Sequence, residues 1–180
     1  GVLTISDGII DITKSYEGLE GLQVIINNGD ISIVSSDDGI NSTATSGQGI
    51  VIDGGNLYIL AGGDGLDSNS RTAYSGIVFK GGKTVVISTS GGNSAIDTEA
   101  GYTYTSGSVL AIMPNGGMTS EATHCSNFSS VAKKISMSLS SGKTLTVSVS
   151  NSAILSVKIP CNLSAIVIYL GSTSANISLN

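Results

Sequence analysis

Val24-Ile25-Ile26-Asn27-Asn28-Gly29-Asp30-Ile31-Ser32-Ile33-Val34-Ser35-Ser36-Asp37-Asp38-Gly39-Ile40-Asn41 decides the fold. It holds a short aliphatic run, a glycine turn, a second aliphatic run, and a tetrapeptide with an oxygen-bearing side chain at each end. The same order recurs on both sides of it. Downstream, Ile50, Val51 and Ile52 lead to a turn at Gly54 and Gly55, then to residues 57–60 and to Asp64-Gly65-Leu66-Asp67. Upstream, residues 3–5 turn at Asp7 and Gly8, continue through 9–12 and reach Glu17-Gly18-Leu19-Glu20. A fourth copy runs from Ile77 through Gly81 and Gly82 to a degenerate Ser94-Ala95-Ile96-Asp97, and a fifth, partial one has Tyr102, Thr103, Tyr104, Gly107 and residues 109–112.

The turn glycines Gly8, Gly29, Gly55, Gly82 and Gly107 are separated by 21, 26, 27 and 25 residues, and the tetrapeptides by 21, 26 and 30. A period of this size marks a solenoid. Strands of roughly three to five residues bury too little as isolated hairpins, whereas coiling stacks each strand on its equivalent at about 4.8 Å per coil. A sandwich would not keep glycine and tetrapeptide in the same order inside every unit. The expectation is an all-β chain, a parallel β-helix in which Ile26, Ile52 and Phe79 form one inward ladder and Ile33, Ile59 and Ile87 another.

Composition agrees. The 180 residues are 40% hydrophobic and 12% charged, with 24 Gly and only 2 Pro, which suits one β-rich globular domain. All 13 acids fall within residues 1–121, together with Lys14, Arg71, Lys80 and Lys83; beyond that point there are only Lys133, Lys134, Lys143 and Lys158. No basic stripe with interleaved aromatics is present, which disfavours a nucleic-acid partner. No apolar run approaches the roughly 20 residues of a membrane span. The chain also opens without an export-signal pattern, so any such signal is expected to be absent or already removed.

The repeat fails after Pro114. Residues 131–139, 143–149, 153–159 and 164–170 still read as strands, with neither tetrapeptide nor acid. The division expected is residues 1–120 as acidic coils and 121–180 as final coils and an irregular cap of the same domain. Lys133 and Lys134 would guard an exposed edge. Cys125 and Cys161, 36 residues apart, show no metal spacing. They are either a disulfide stapling the cap of an exported protein or two free thiols.

Stacking the tetrapeptides makes two columns of oxygens: Glu17, Asp38, Asp64 and Ser94 in one, Glu20, Asn41, Asp67 and Asp97 in the other. Carboxylates held about 5 Å apart repel unless a cation lies between them, and the basic residues here are too few. Hard oxygen donors at this density match Ca²⁺, which takes roughly six to eight oxygens in irregular geometry. Asp37, Glu99 and turn carbonyls would complete the shells. The competing reading is a solvated acidic face whose Asp and Asn side chains cap the turns.

Other side chains carry weaker signals. His124, the only histidine, reads as a surface or edge residue. Arg71, the only arginine, would clamp a sugar carboxylate or serve as a base, and Tyr58, Tyr74, Tyr102 and Tyr104 offer faces for sugar rings, with Tyr58 better suited to packing on its strand.

These residues resemble a clostridial family of carbohydrate-binding domains. The match is carried by Tyr16 to Gly21, Ser36 to Asn41 and Gly63 to Asp67, with Gly116, Gly117 and Met118 at the end of the repeat; it is good over residues 1–120 and poor beyond. The resemblance implies a right-handed parallel β-helix related to polysaccharide lyases, calcium in the helix, and binding of cellulose and acidic plant sugars by a secreted or cell-surface bacterial protein. The departure at Ser94 and Ala95 touches the last metal position.

Three functions follow as expectations. The first is a non-catalytic polysaccharide-binding module, with Ca²⁺ bridging protein and uronate carboxylates, or hydroxyl hydrogen bonds and tyrosine stacking for a neutral glucan. The second is a calcium-dependent lyase of pectate type, with Arg71 or Lys80 as the base. The third is a structural adhesin segment whose metal serves folding alone.

Overall fold

A computed structural model describes residues 1–116 and 118–180; Gly117, one of the glycines behind the resemblance, lies outside the described residues. Each repeat folds as three strands separated by corners. The first coil is β1 (Val2–Ile5), β2 (Ile9–Ser15) and β3 (Leu19–Gly21). The second is β4 (Gln23–Ile26), β5 (Asp30–Ser35) and β6 (Ile40–Ser42), and the third β7 (Ile50–Ile52), β8 (Asn56–Ala61) and β9 (Leu66–Ser68). The fourth is β10 (Ile77–Phe79), β11 (Lys83–Ser88) and β12 (Ile96–Thr98), followed by β13 (Thr103–Tyr104) and β14 (Ser108–Pro114).

Equivalent strands pair in parallel and build three walls, which makes the chain a β-solenoid. Wall A is β1-β4-β7-β10-β13, wall B contains β2-β5-β8-β11-β14, and wall C is β3-β6-β9-β12. Inside wall A, Ile5, Ile26, Ile52, Phe79 and Tyr104 stack in register, and inside wall C, Leu19, Ile40, Leu66 and Ile96 do the same. Each buried aliphatic of this size contributes roughly 1.5–3 kcal/mol. At the A-to-B corners Gly29 and Gly55 adopt φ of 120° and 82°, a region that side chains with a Cβ rarely enter.

The wall B ladder differs from the expectation by one residue. It runs Ile12, Ile33, Ile59, Val86 and Ala111, while Ile87 lies opposite Leu60 and Ile112 on the outer face. Val86 follows Gly82 by the same four residues that separate Ile59 from Gly55, and the pleat then sends Ile87 to the other side.

The C-terminal third caps the stack after one further parallel bridge, Tyr102 to Cys125, without another full coil. Two short helices, α1 (Thr119–Thr123) and α2 (Phe128–Val131), come first, then β15 (Ala132–Leu139), β16 (Thr144–Val149), β17 (Ser152–Lys158), β18 (Leu163–Leu170) and β19 (Asn176–Leu179). β18 joins wall B beside β14 but runs antiparallel to it, and β15 pairs antiparallel with β18 as the edge strand. Lys133 and Lys134 lie on that edge strand, where charge discourages further pairing. β17-β16-β19 form a separate antiparallel sheet, here the wing. Without a further tetrapeptide, α1 crosses the top of wall C against β12, Cys125 then pairs in parallel with Tyr102, and only beyond α2 does the chain enter the antiparallel pair β15–β18.

β18 separates two cores. Ile166, Ile168 and Leu170 belong to the core inside the coils, and Ala165, Val167 and Tyr169 to a second core between wall B and the wing, with Val85, Ile87, Leu110 and Ile112. Cys125 packs in the first core beside Tyr102, whereas Cys161 stands near Tyr58 on the outer side of wall B. Both are free thiols, so the expected bridge is not formed: wall B lies between the two sulfurs.

Candidate functional site

The tetrapeptide occupies the corner from wall B to wall C. Its aliphatic residue points into the coil, and its last residue, on the outer face of wall C, is brought into line by parallel register: Glu20, Asn41, Asp67 and Asp97 are direct neighbours. At the corner the N–H of Gly18 donates to the carbonyl of Asp38, that of Gly39 to Asp64 and that of Gly65 to Ser94, at 3.0, 2.9 and 2.9 Å. These bonds align Glu17, Asp38, Asp64 and Ser94. The tetrapeptide glycines allow this approach. A Cβ on Gly39 would lie 2.5 Å from the Gly65 carbonyl oxygen and collide with the Ile59 side chain. Ala95, just before the last strand of wall C, has no further tetrapeptide stacked on it to meet its methyl group.

The capping reading of the acids holds at the first column. Asp38 Oδ1 accepts the N–H of Asp64 at 2.8 Å, and Asp64 Oδ1 accepts that of Ser94, so one oxygen of each carboxylate caps the following coil. Ser94 itself is fully buried, its hydroxyl donating to the Ile96 carbonyl at 2.9 Å. It therefore leaves the column of surface oxygens.

Burial pushes Glu17, Asp64 and Asp67 each up to about 7, and neighbouring carboxylates push in the same direction. Asp38 and Asp97 are raised, first by burial and then, for Asp97, by Glu121. Glu121 is a carboxylate the sequence reading missed: it stands alone among acids beyond Glu99, and only α1 carries it to the top of wall C. Glu99 is beside Asp97, and Asp37 faces Asp38 and the Tyr16 hydroxyl. Among the described residues no lysine or arginine pairs with these carboxylates; Lys80 is 3.1 Å from Asp53, at the A-to-B corner.

Two further oxygens, Glu17 Oε2 and Asn41 Oδ1, are buried without a hydrogen-bond partner. Buried acceptors lacking a donor are costly, and hard oxygens short of positive charge are what a calcium ion satisfies. The donor set thus fits Ca²⁺. No three His, Cys, Asp or Glu side chains among the described residues already converge at coordination spacing, so a complete shell would draw on the Asn41 amide and backbone carbonyls as well.

The sugar-binding candidates divide. Arg71 and Tyr74 are exposed in the loop after β9, and Tyr74, with φ of 54°, meets His124 edge-on at 5.4 Å between ring centroids. Tyr102 and Tyr104 are corrected to core residues. Tyr102 is fully buried, donates to the Ala122 carbonyl at 2.7 Å and crosses Phe79 at 82°. Tyr104 continues the wall A ladder and donates to the Gly107 carbonyl at 2.7 Å. In this coil, aromatic rings fill the width that aliphatics fill below.

A family model described as carbohydrate-binding domain-containing protein matches residues 1–176. The chain belongs to this carbohydrate-binding family. The match extends past the coils and into β19, so the cap and wing belong to the carbohydrate-binding domain as much as the acidic repeats do. No curated protein and no solved structure matches the chain.

Proposed function

We propose that this carbohydrate-binding domain is a non-catalytic, calcium-dependent module for plant cell-wall polysaccharides, cellulose or acidic polymers such as polygalacturonate, in a secreted or surface-attached bacterial protein. The observation that carries the reading is the pair of carboxylate columns with two unpartnered buried oxygens and, among the described residues, no base paired to them. Such a face repels polyuronate by itself. With calcium on it, Asp38, Asn41, Asp64 and Asp67 would hold the ion, and its remaining coordination positions would take a sugar carboxylate; the ion would supply that bridge and nothing else.

The arrangement favours binding over cleavage. A lyase base must reach the proton beside a calcium-held uronate, yet Lys80 is engaged by Asp53 at another corner and Arg71 is solvated. The test is retention on insoluble cellulose and in gels containing polygalacturonate, with calcium or with chelator. Retention by polygalacturonate that disappears with chelator and returns with calcium is expected. Retention unchanged by chelator would remove the calcium bridge, and release of unsaturated products absorbing in the ultraviolet would make the protein a lyase.

A further inference from the structure

A cleft of about 570 Å³ lies away from the carboxylate columns, between the outer face of wall B and the wing. Its floor comes from the first half of β2, β5, β8 and β11, and parallel register arranges that floor in two lines. One is Ile9, Asp30, Asn56 and Lys83; the other is Asp11, Ser32, Tyr58 and Val85. Three strand spacings make it about 14 Å long. The wing meets wall B at Val85, which is buried, and diverges past half-buried Tyr58 and Ser32 to exposed Asp11. The result is a wedge, open toward β2.

The lining is chemically mixed. Asn56 Nδ2 donates to Asp30 Oδ1 at 2.7 Å, so a carboxylate and an amide sit side by side with Lys83 next in line. Tyr58 packs its ring against the second core; burial raises its phenol, which keeps it a neutral donor. The wall is β17, an edge strand paired with β16 only, whose other side presents backbone N–H and C=O groups not used by the wing. Apolar surface with a few placed donors and acceptors marks a ligand site. Two carboxylates, Asp11 and Asp30, against one ammonium disfavour an anionic sugar, while acceptors and donors in alternation suit hydroxyls.

We propose that this wedge is the glycan seat for an uncharged polysaccharide chain, laid along the stack axis across β2, β5, β8 and β11, with its ring face on Tyr58 and its hydroxyls on Asp30, Asn56 and Lys83. The inference rests on the carbohydrate-binding reading and adds a site separate from the calcium columns.

The test is affinity electrophoresis of the whole domain in gels containing hydroxyethylcellulose or polygalacturonate, for wild type, Tyr58→Ala and the double variant Asp30→Ala/Asn56→Ala. Asp30 and Asn56 are exposed, so the double variant keeps the fold even if Tyr58→Ala loosens the second core; circular dichroism checks both. The expected result is tenfold or greater loss of hydroxyethylcellulose affinity in both cleft variants. Wild-type affinity in the folded double variant would overturn the cleft assignment and leave the carbohydrate-binding reading intact. Retention of wild type by polygalacturonate alone would overturn the uncharged-ligand class. Failure of wild type to bind either polymer would overturn the parent reading and this one with it.

Discussion

The carboxylate of Asp38 holds the backbone N–H of Asp64 at 2.8 Å, a bond that ties one coil to the next at the corner where both columns begin. One oxygen closes the backbone, and the other is left for the proposed cation. Substitution separates them. Asp38→Ala removes the cap and is expected to lower stability by about 1 kcal/mol even in chelator, as loss of a capping side chain does. Asp38→Asn keeps an acceptor oxygen, so its melting temperature in chelator stays at the wild-type value or above, while the increase on adding calcium shrinks. Thermal unfolding with and without calcium checks both.

A methyl group at Gly65 would lie 2.5 Å from the Ala95 carbonyl oxygen and collide with Val86. Gly65→Ala is therefore expected to cost about 1–3 kcal/mol or more through overpacking. Ala95→Gly changes only backbone entropy and a small contact, about 1 kcal/mol or less. Urea unfolding of the two variants should show this asymmetry.

Without metal, the domain should be more stable in mild acid than at neutrality. Asp64 and Asp67 keep their protons up to about pH 7 when folded, against an ordinary value of 3.8. Between those values the folded chain binds more protons than the unfolded one, so stability falls as pH rises through that window and levels off above 7. Calcium on the columns, as proposed, is expected to reverse the trend, because such an ion takes deprotonated carboxylates. Its stabilisation is expected to be full above pH 7 and to fade on acidification. Melting temperatures from pH 4.5 to 8.5, in chelator and in calcium, would give two curves of opposite slope; parallel curves would contradict the carboxylate columns as the calcium site.

Tyr102→Phe leaves the Ala122 carbonyl without its donor inside the cap. The expected cost is about 1–3 kcal/mol, with no change in polysaccharide retention per folded molecule. A loss of retention at unchanged stability would return Tyr102 to the sugar-binding surface.

Much of this was legible because a solenoid writes the same instruction several times. Gly29 and Gly55, or Asp38 and Asp64, are recognisable as equivalents before any coordinate is known. Legibility failed where the repetition ended. Strand direction leaves no mark on hydrophobic alternation, so β18 reads equally well as a parallel or an antiparallel rung. Tyr102 and Tyr104 flank Thr103 in a short polar stretch, and only the coil's need for filling turns their rings inward. Glu121 approaches Asp97 through the placement of α1, and the wedge arises from a wing sheet whose position no local pattern specifies. At the wall B ladder the spacing from the turn glycine carries the register: four residues past Gly82 is Val86, as four past Gly55 is Ile59.

Parallel strands in a solenoid are open-ended templates: every free edge invites another copy of itself. β18, lying antiparallel to β14 and buried on both faces, ends that propagation at one place. Length is therefore set by a terminator, and the interior coils behave as interchangeable cassettes. Duplicating residues 50–76 would leave the wing where it is relative to the last rung. It would add one rung to the carboxylate columns and one to the face of wall B, so that ion capacity and reach along a polymer would grow together in unit steps.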